Sequence, residues 1–149
     1  MEIHYHNRNK LSSDLELGAI YHKDAKSLFA ESEFLSINCP ATAETTNLLN
    51  EETIKILPDK AVVANAARGD IIDDKAMIEA MKSGKIFALG LDVYNGEPKI
   101  NEEYLKLDNL FLLPHLGSST KRTRIDMGDR AIDNLEVFFS GKKPKDQVN

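Results

Sequence analysis

The chain has 149 residues, 42% hydrophobic and 29% charged, with 8 glycines and 5 prolines, a globular balance that excludes disordered, collagen-like and disulfide-scaffold proteins. At this size roughly 70% of the unfolded surface can be buried, enough for one core. A net charge of −5 and a pI near 5.4 argue against a general nucleic-acid binder, which needs a basic surface to release counterions.

Residues 2–6 read as a β-like opening run, and Ser12-Ser13-Asp14 resembles a helix N-cap whose helix Gly18 would stop. Ala19-Ile20-Tyr21 predicts a short strand, residues 24–29 a short helix and residues 34–37 a strand closed by Cys39-Pro40. Asn50-Glu51-Glu52 caps a turn of helix that runs to Leu57, ahead of Pro58. Residues 61–64 predict a buried strand. Asp73-Asp74 opens a helix with Ala76, Met77, Ala80 and Met81 on one face, ended by Gly84. Strands follow at residues 87–91 and 110–113. A long helix, about 121–140, then carries Ile125, Ala131, Ile132, Leu135, Phe138 and Phe139 as its apolar stripe before Gly141 and Pro144 stop it.

Strands alternating with helices, and strands apolar throughout, predict an α/β fold: a parallel sheet covered on both faces. Ligands of such sheets sit beyond the carboxyl ends of the strands. The segments after three strands bring Arg68, Glu97 and His115 to one edge. A guanidinium presents a planar fork that matches a carboxylate, and a histidine can give or take a proton at neutral pH. A glutamate on the far imidazole nitrogen would fix its tautomer. Singly, Arg68 reads equally as a surface ion pair, Glu97 as a solvated turn residue and His115 as a loop histidine. Together they suit an anionic substrate with a carbonyl or hydroxyl beside its carboxylate.

Three segments carry a family resemblance: Val63-Ala64-Asn65-Ala66-Ala67-Arg68-Gly69-Asp70-Ile71-Ile72-Asp73, Gly90-Leu91-Asp92-Val93-Tyr94-Asn95-Gly96-Glu97-Pro98 and Leu113-Pro114-His115-Leu116-Gly117-Ser118. In order and spacing they resemble the signatures of the D-isomer-specific 2-hydroxyacid dehydrogenases, most of all the glyoxylate/hydroxypyruvate reductase branch. The resemblance implies that Arg68 holds the substrate carboxylate and carbonyl oxygen. It makes His115 the general acid in reduction and base in reverse, with Glu97 as its partner. It also implies that Asp92 contacts the nicotinamide carboxamide, that Ala66, Ala67 and Gly117 line the cofactor with Arg68 and His115, and that Asn38, Cys39 and Pro40 pass over its adenosine half. The expected substrates are small 2-oxo and D-2-hydroxy acids.

In a dinucleotide fold the second strand normally ends in an acid that binds the ribose 2′-hydroxyl, whereas an arginine accommodates a 2′-phosphate. Residues 2–6 match that strand and end in Asn7-Arg8-Asn9-Lys10. NADP(H) is therefore the preferred cofactor, bound through Arg8 with Asn7, Asn9 and Lys10 in support, and NAD(H) remains possible.

The departures are as plain. No glycines are spaced as G-x-G-x-x-G. The chain begins at what matches the second strand, without the first strand, its glycine-rich loop or the substrate domain. The expected fold is thus an incomplete Rossmann-type, doubly wound parallel sheet with helices on both faces. Residues 1–149 form a partial dinucleotide-binding domain that ends in the long helix and a short tail. Strand edges should be left unpaired, and the chain should act as the C-terminal portion of an enzyme, inactive alone. The alternatives are a corepressor-like scaffold that senses the cofactor and an inactive half domain serving assembly. Exposed apolar residues on the last helix suggest a homo-oligomer, as a dimer.

No apolar run approaches the ~20 residues of a membrane helix, and the N-terminus does not resemble a signal peptide. The single cysteine makes no internal disulfide, so a cytoplasmic location is expected. Cys39 reads first as a small hydrophobe and second as a thiol beside the cofactor. His4 and His6 alternate on one strand without a third ligand at metal spacing, so no metal site is expected.

Overall fold

The computed structural model describes residues 1–148. It comprises two compact units, Met1–Pro114 and His115–Asn149.

In the first unit, β1 (His4–His6) pairs in parallel with β2 (Ile20–His22), His4 standing opposite Ile20. Between them α1 (Ser13–Glu16) follows Ser12 and closes through Leu17 and Gly18, both at positive φ. His22, for which the sequence suggests no partner, lies against His4, with Nδ1 of His4 2.8 Å from its Nε2. His6 turns its Nδ1 to the His22 carbonyl at 2.9 Å. No group of three or more metal-ligating side chains forms among the described residues.

The larger sheet has four parallel strands in the order β3 (Phe34–Ile37), β4 (Ala61–Asn65), β5 (Ile86–Leu91) and β6 (Leu110–Leu112). Among the described residues no strand links it to the β1–β2 pair, so the unpaired edges expected from the sequence are present. The intervening helices start where their caps dictate. Asp24 accepts from the Ser27 N–H at the head of α2 (Ala25–Glu31). Asn50 and Thr53 form a capping box at α3 (Glu51–Ile56), which satisfies donors that a helix start leaves without partners. Asp73 accepts from the Ala76 N–H at α4 (Asp74–Ser83), and Gly84 ends that helix in the left-handed region.

Strand register sorts the side chains into rows. Leu35, Val63, Leu89 and Leu110 share one row, and Ile37, Asn65, Leu91 and Leu112 the next. These face the core that α3 and α4 complete with Ile54, Met77, Ile78 and Met81. The other face carries Ser36, Ala64, Gly90 and Phe111 in one row, and Phe34 and Phe111 there are 70% and 67% exposed. Apolar-throughout strands are expected to be covered on both faces, but burial here alternates along β3 and β4. A register shift between Ala61 and Val62 gives β5 an extra residue, and Phe87 leaves the core there, 61% exposed.

The second unit is built on α5 (Lys121–Phe139), capped by Thr120 accepting from the Thr123 N–H. The tail returns to this helix. Arg130 Nη2 donates to Asp146 Oδ1 at 2.8 Å and Asn134 Nδ2 to Oδ2 at 2.7 Å, and these bonds, Arg130 first, hold the Asp146 carboxyl down to about 2. No residue of α5 is buried. Ile125, Ile132, Leu135, Phe138 and Phe139 of the predicted stripe are all exposed. No helix among the described residues is long and apolar enough to cross a membrane.

The one-sided core has a direct test in the stability of two variants. Leu89, 1% exposed, replaced by Ala should cost about 2–5 kcal/mol in urea unfolding. Phe34→Thr on the open face should stay within about 0.5 kcal/mol of the parent. Comparable losses at both positions would show that both faces are packed.

Candidate active site

Parallel pairing carries the chain past the strand ends in step. The Asp92 N–H donates to the Asn65 carbonyl at 3.0 Å, and the Leu113 N–H to the Leu91 carbonyl at 2.8 Å. The loops after β4, β5 and β6 therefore leave from one edge of the sheet, where Arg68, Glu97 and His115 were expected to follow.

The loop after β4 is organised by Asn65, 1% exposed. Its Oδ1 accepts from the Ala67 N–H at 3.0 Å, and its Nδ2 donates to the Arg68 carbonyl at 2.8 Å. One buried amide thus closes the turn that presents Arg68. The Arg68 side chain is exposed, with Nη1 donating to the Ala67 carbonyl at 2.6 Å. A short 3-10 turn, Gly69–Ile71, follows. The segment after β3 straps it from the other side: Asn47 and Leu49 N–H groups donate to the Asp70 and Ile71 carbonyls at 2.8 and 3.0 Å, and the Asp73 N–H returns to the Leu49 carbonyl at 2.8 Å.

Asn38, Cys39, Pro40, Ala41, Ala66, Ala67 and Arg68 line an open cleft of about 540 Å³ between these loops. Six of the predicted cofactor residues thus surround one space. Cys39 packs against the core, and burial pushes its thiol up, which fits a small hydrophobe better than a reactive thiolate.

Asn7, Arg8 and Asn9 form an exposed turn beyond β1, in which the Arg8 N–H donates to Asn7 Oδ1 at 3.0 Å and the Asn7 carbonyl accepts from Tyr21 Oη at 3.3 Å. Glu44, on the loop after β3, is held below the usual carboxylate range, mainly by the Thr42 hydroxyl at 2.6 Å and in small part by the Arg8 charge.

Asp92 is half-buried at the end of β5, and Glu97 is exposed farther along the same loop. Glu97 Oε1 accepts from the Tyr94 N–H at 3.0 Å, which folds the side chain back over its own loop. The Glu97–Pro98 peptide bond is cis. Gly69 allows this loop to meet the Arg68 turn, since a Cβ there would lie 2.2 Å from the Tyr94 carbonyl carbon. His115 and Gly117 open the second unit, both exposed. His115 has φ +54°, an uncommon backbone conformation for a residue with a side chain.

Below the loops lies a polar cluster that motif reading passes over. Tyr104 Oη donates to Asp74 Oδ1 at 3.1 Å, and Asn95 Nδ2 donates to the same oxygen at 3.1 Å and to the Ile72 carbonyl at 3.0 Å. Burial and the neighbouring Asp74 charge push the Tyr104 phenol far up, so it stays a neutral donor. Nothing in the spacing of these residues announces the cluster; only the turn-forming habit of asparagine points to Asn65 and Asn95.

Residues 1–117 match the family described as the D-isomer specific 2-hydroxyacid dehydrogenase, NAD binding domain. A glycerate dehydrogenase of Hyphomicrobium methylovorum is 41% identical over 143 residues, 95% of this chain and 44% of the relative. A glyoxylate reductase of Thermococcus litoralis is 39% identical over 147 residues, 99% of this chain and 44% of the relative. Among solved structures, a glyoxylate reductase from Paecilomyes thermophila superposes with a TM-score of 0.93 at 38% identity, covering 99% of this chain and 45% of that one. An NADPH-dependent glyoxylate/hydroxypyruvate reductase from Sinorhizobium meliloti, solved with NADP and malonate, gives 0.88 at 34% identity, covering 93% and 43%.

The fold is therefore the Rossmann-like α/β architecture of a dinucleotide-binding domain. The chain belongs to the D-isomer specific 2-hydroxyacid dehydrogenase family, through its NAD-binding domain. It spans less than half the length of the curated relatives it matches.

Asp74 gives the cluster a pH signature. Burial is the largest influence on its carboxyl and raises it, against the hydrogen bonds of Asn95 and Tyr104 and with a small push from Asp73. A folded pKa above the unfolded value contributes stability at low pH, and that contribution is lost as pH rises through the folded pKa. Asp74→Asn keeps an acceptor oxygen for both donors and removes the charge. As pH rises from the ordinary carboxylate pKa of about 4 through the raised pKa of Asp74, the parent should lose stability relative to this variant, as read by urea unfolding. Parallel pH curves would contradict the assignment.

Proposed function

We propose that this chain is the cofactor-binding and catalytic portion of an oxidoreductase that interconverts small 2-oxo acids, of the glyoxylate and hydroxypyruvate type, with D-2-hydroxy acids. The observation that carries the reading is the cleft at the carboxyl ends of β3 and β4, ringed by Asn38, Cys39, Pro40, Ala66, Ala67 and Arg68, in a chain of this family. The names of its relatives, glyoxylate reductases and a glycerate dehydrogenase, support the substrate class.

The residues fit a nicotinamide dinucleotide in part. Asn38–Ala41 would hold the adenosine side, and Ala66 and Ala67 the nicotinamide side with Asp92 beyond them. The 149 residues hold no G-x-G-x-x-G segment to cradle a pyrophosphate, so this chain alone should bind the cofactor weakly and turn over little. The bound nicotinamide supplies hydride exchange with the substrate carbon.

Arg68 holds the substrate carboxylate with its planar fork and polarises the carbonyl oxygen. His115 delivers a proton to that oxygen in reduction and removes it in oxidation. In this reading Glu97 is the partner of His115 and fixes which ring nitrogen carries the proton. Arg8, exposed beyond β1, would suit a 2′-phosphate, which supports NADP(H) over NAD(H); one relative is NADPH-dependent and solved with NADP. The exposed apolar residues of α5 support association as a dimer, and the single cysteine suits the reducing cytoplasm.

A chimaera tests the reading. The segment of the Thermococcus litoralis glyoxylate reductase that this chain matches is exchanged for the chain itself. The chimaera should oxidise NADPH in the presence of glyoxylate, and His115→Ala should lower kcat by about 10²–10⁴-fold while cofactor binding persists. A chimaera that folds and binds NADPH yet reduces neither glyoxylate nor hydroxypyruvate would overturn the proposal.

A further inference from the structure

Arg68 and Glu97 stand on separate loops, and chemistry that uses both needs those loops in fixed register. Backbone pairing ends at the Asp92 N–H to Asn65 carbonyl bond, five residues before Glu97. The close approach of Gly69 to Tyr94 permits contact but supplies no attachment. One side chain supplies a direct attachment. Asn95 lies between Tyr94 and Glu97, and its two amide hydrogens go to two acceptors on the other segment, the Ile72 carbonyl at 3.0 Å and Asp74 Oδ1 at 3.1 Å. Ile72 is tied in turn to the Arg68 turn, its N–H donating to the Gly69 carbonyl at 3.0 Å. Tyr104, 1% exposed, fixes the Asp74 carboxylate from below with its hydroxyl.

We propose that Asn95 is a positioning residue: its side-chain amide latches the Glu97 loop to the Arg68 turn, with Asp74 and Tyr104 as the fixed post. The inference rests on the proposed function, in which Arg68 and Glu97 serve one site. The residue type follows from the geometry. Two donors must diverge from one nitrogen at the end of a short side chain. Serine offers one donor, aspartate none, and glutamine would overshoot by a methylene. The latch also explains why Glu97 can fold back on the Tyr94 N–H at 3.0 Å, since Tyr94 is held between the Gly69 contact and the anchored Asn95.

Amide hydrogen exchange of the 149-residue chain, followed by NMR, reads the latch directly. In N95A the Tyr94 amide should exchange about tenfold faster, the equivalent of one net hydrogen bond, while the Val63 and Leu89 amides inside the sheet keep their rates. N95S, which retains one donor, should fall between N95A and the parent, and it decides the matter by the same amides if N95A does not fold. Unchanged Tyr94 exchange would overturn the proposal. So would a loss of protection shared equally by Val63 and Leu89, which would make Asn95 a contributor to overall stability alone. In the chimaera, N95A should also displace the pH profile of kcat/KM for glyoxylate, because Glu97 would no longer be held in place; an unmoved profile counts against the latch. The exchange readout involves no cofactor or turnover, so an inactive chimaera would defeat the proposed function and leave the latch standing.

Discussion

The candidate cleft and the loop beside it depend on the parallel pairing of β3 with β4 and β4 with β5, carried one residue beyond β5 by the Asp92 N–H. Parallel strands end on the same side, so the loops after β3, β4 and β5 leave from one edge of the sheet. The core fixes that edge. Val63, Leu89 and Leu91 are all but fully buried, and a slip of one residue would turn them to the open face. Packing below the sheet thus sets the positions of exposed side chains such as Arg68.

Above that edge the loops are stiffened by side-chain amides rather than by regular structure. Asn65 closes the Arg68 turn from inside, and Asn95 ties the neighbouring loop to it. Gly69 lets the two backbones touch where any side chain would collide with the Tyr94 carbonyl. Asparagine suits this work because one short group serves two partners: Asn65 satisfies a backbone donor and a backbone acceptor, and Asn95 donates to a backbone carbonyl and a carboxylate.

Much of this was legible in the sequence. Caps at Asn50 and Asp73 and stops at Gly18 and Gly84 marked helix ends, because a cap is a local hydrogen bond between neighbours, whereas the cap at Asp24 emerged only in the structure. The apolar runs gave β3 to β6, within a residue or so at the ends. The motifs also pointed to the cleft, since Asn38–Pro40 and Ala66–Arg68 follow adjacent strands. Less legible was whatever depends on distant partners. Continuously apolar strands suggest burial on both sides, and only the register reveals that Phe34, Phe87 and Phe111 face outward. The His4–His22 contact and the Asp74–Asn95–Tyr104 cluster join residues 18 to 30 positions apart, a separation at which spacing carries no signal.

The carboxyl edge of this sheet is proposed as a nicotinamide-dinucleotide site, and the cation at the end of β1 as the group that favours a 2′-phosphate. An amide NMR titration of the chain with NADPH, and with NADH for comparison, tests it most directly, because it registers weak binding residue by residue. The expected result is saturable shifts at Asn38–Ala41 and Ala66–Arg68 with both nucleotides, and at Asn7–Lys10 with NADPH chiefly. Shifts centred elsewhere, such as along Arg130–Val137 of α5, or no shift at millimolar nucleotide, would contradict it.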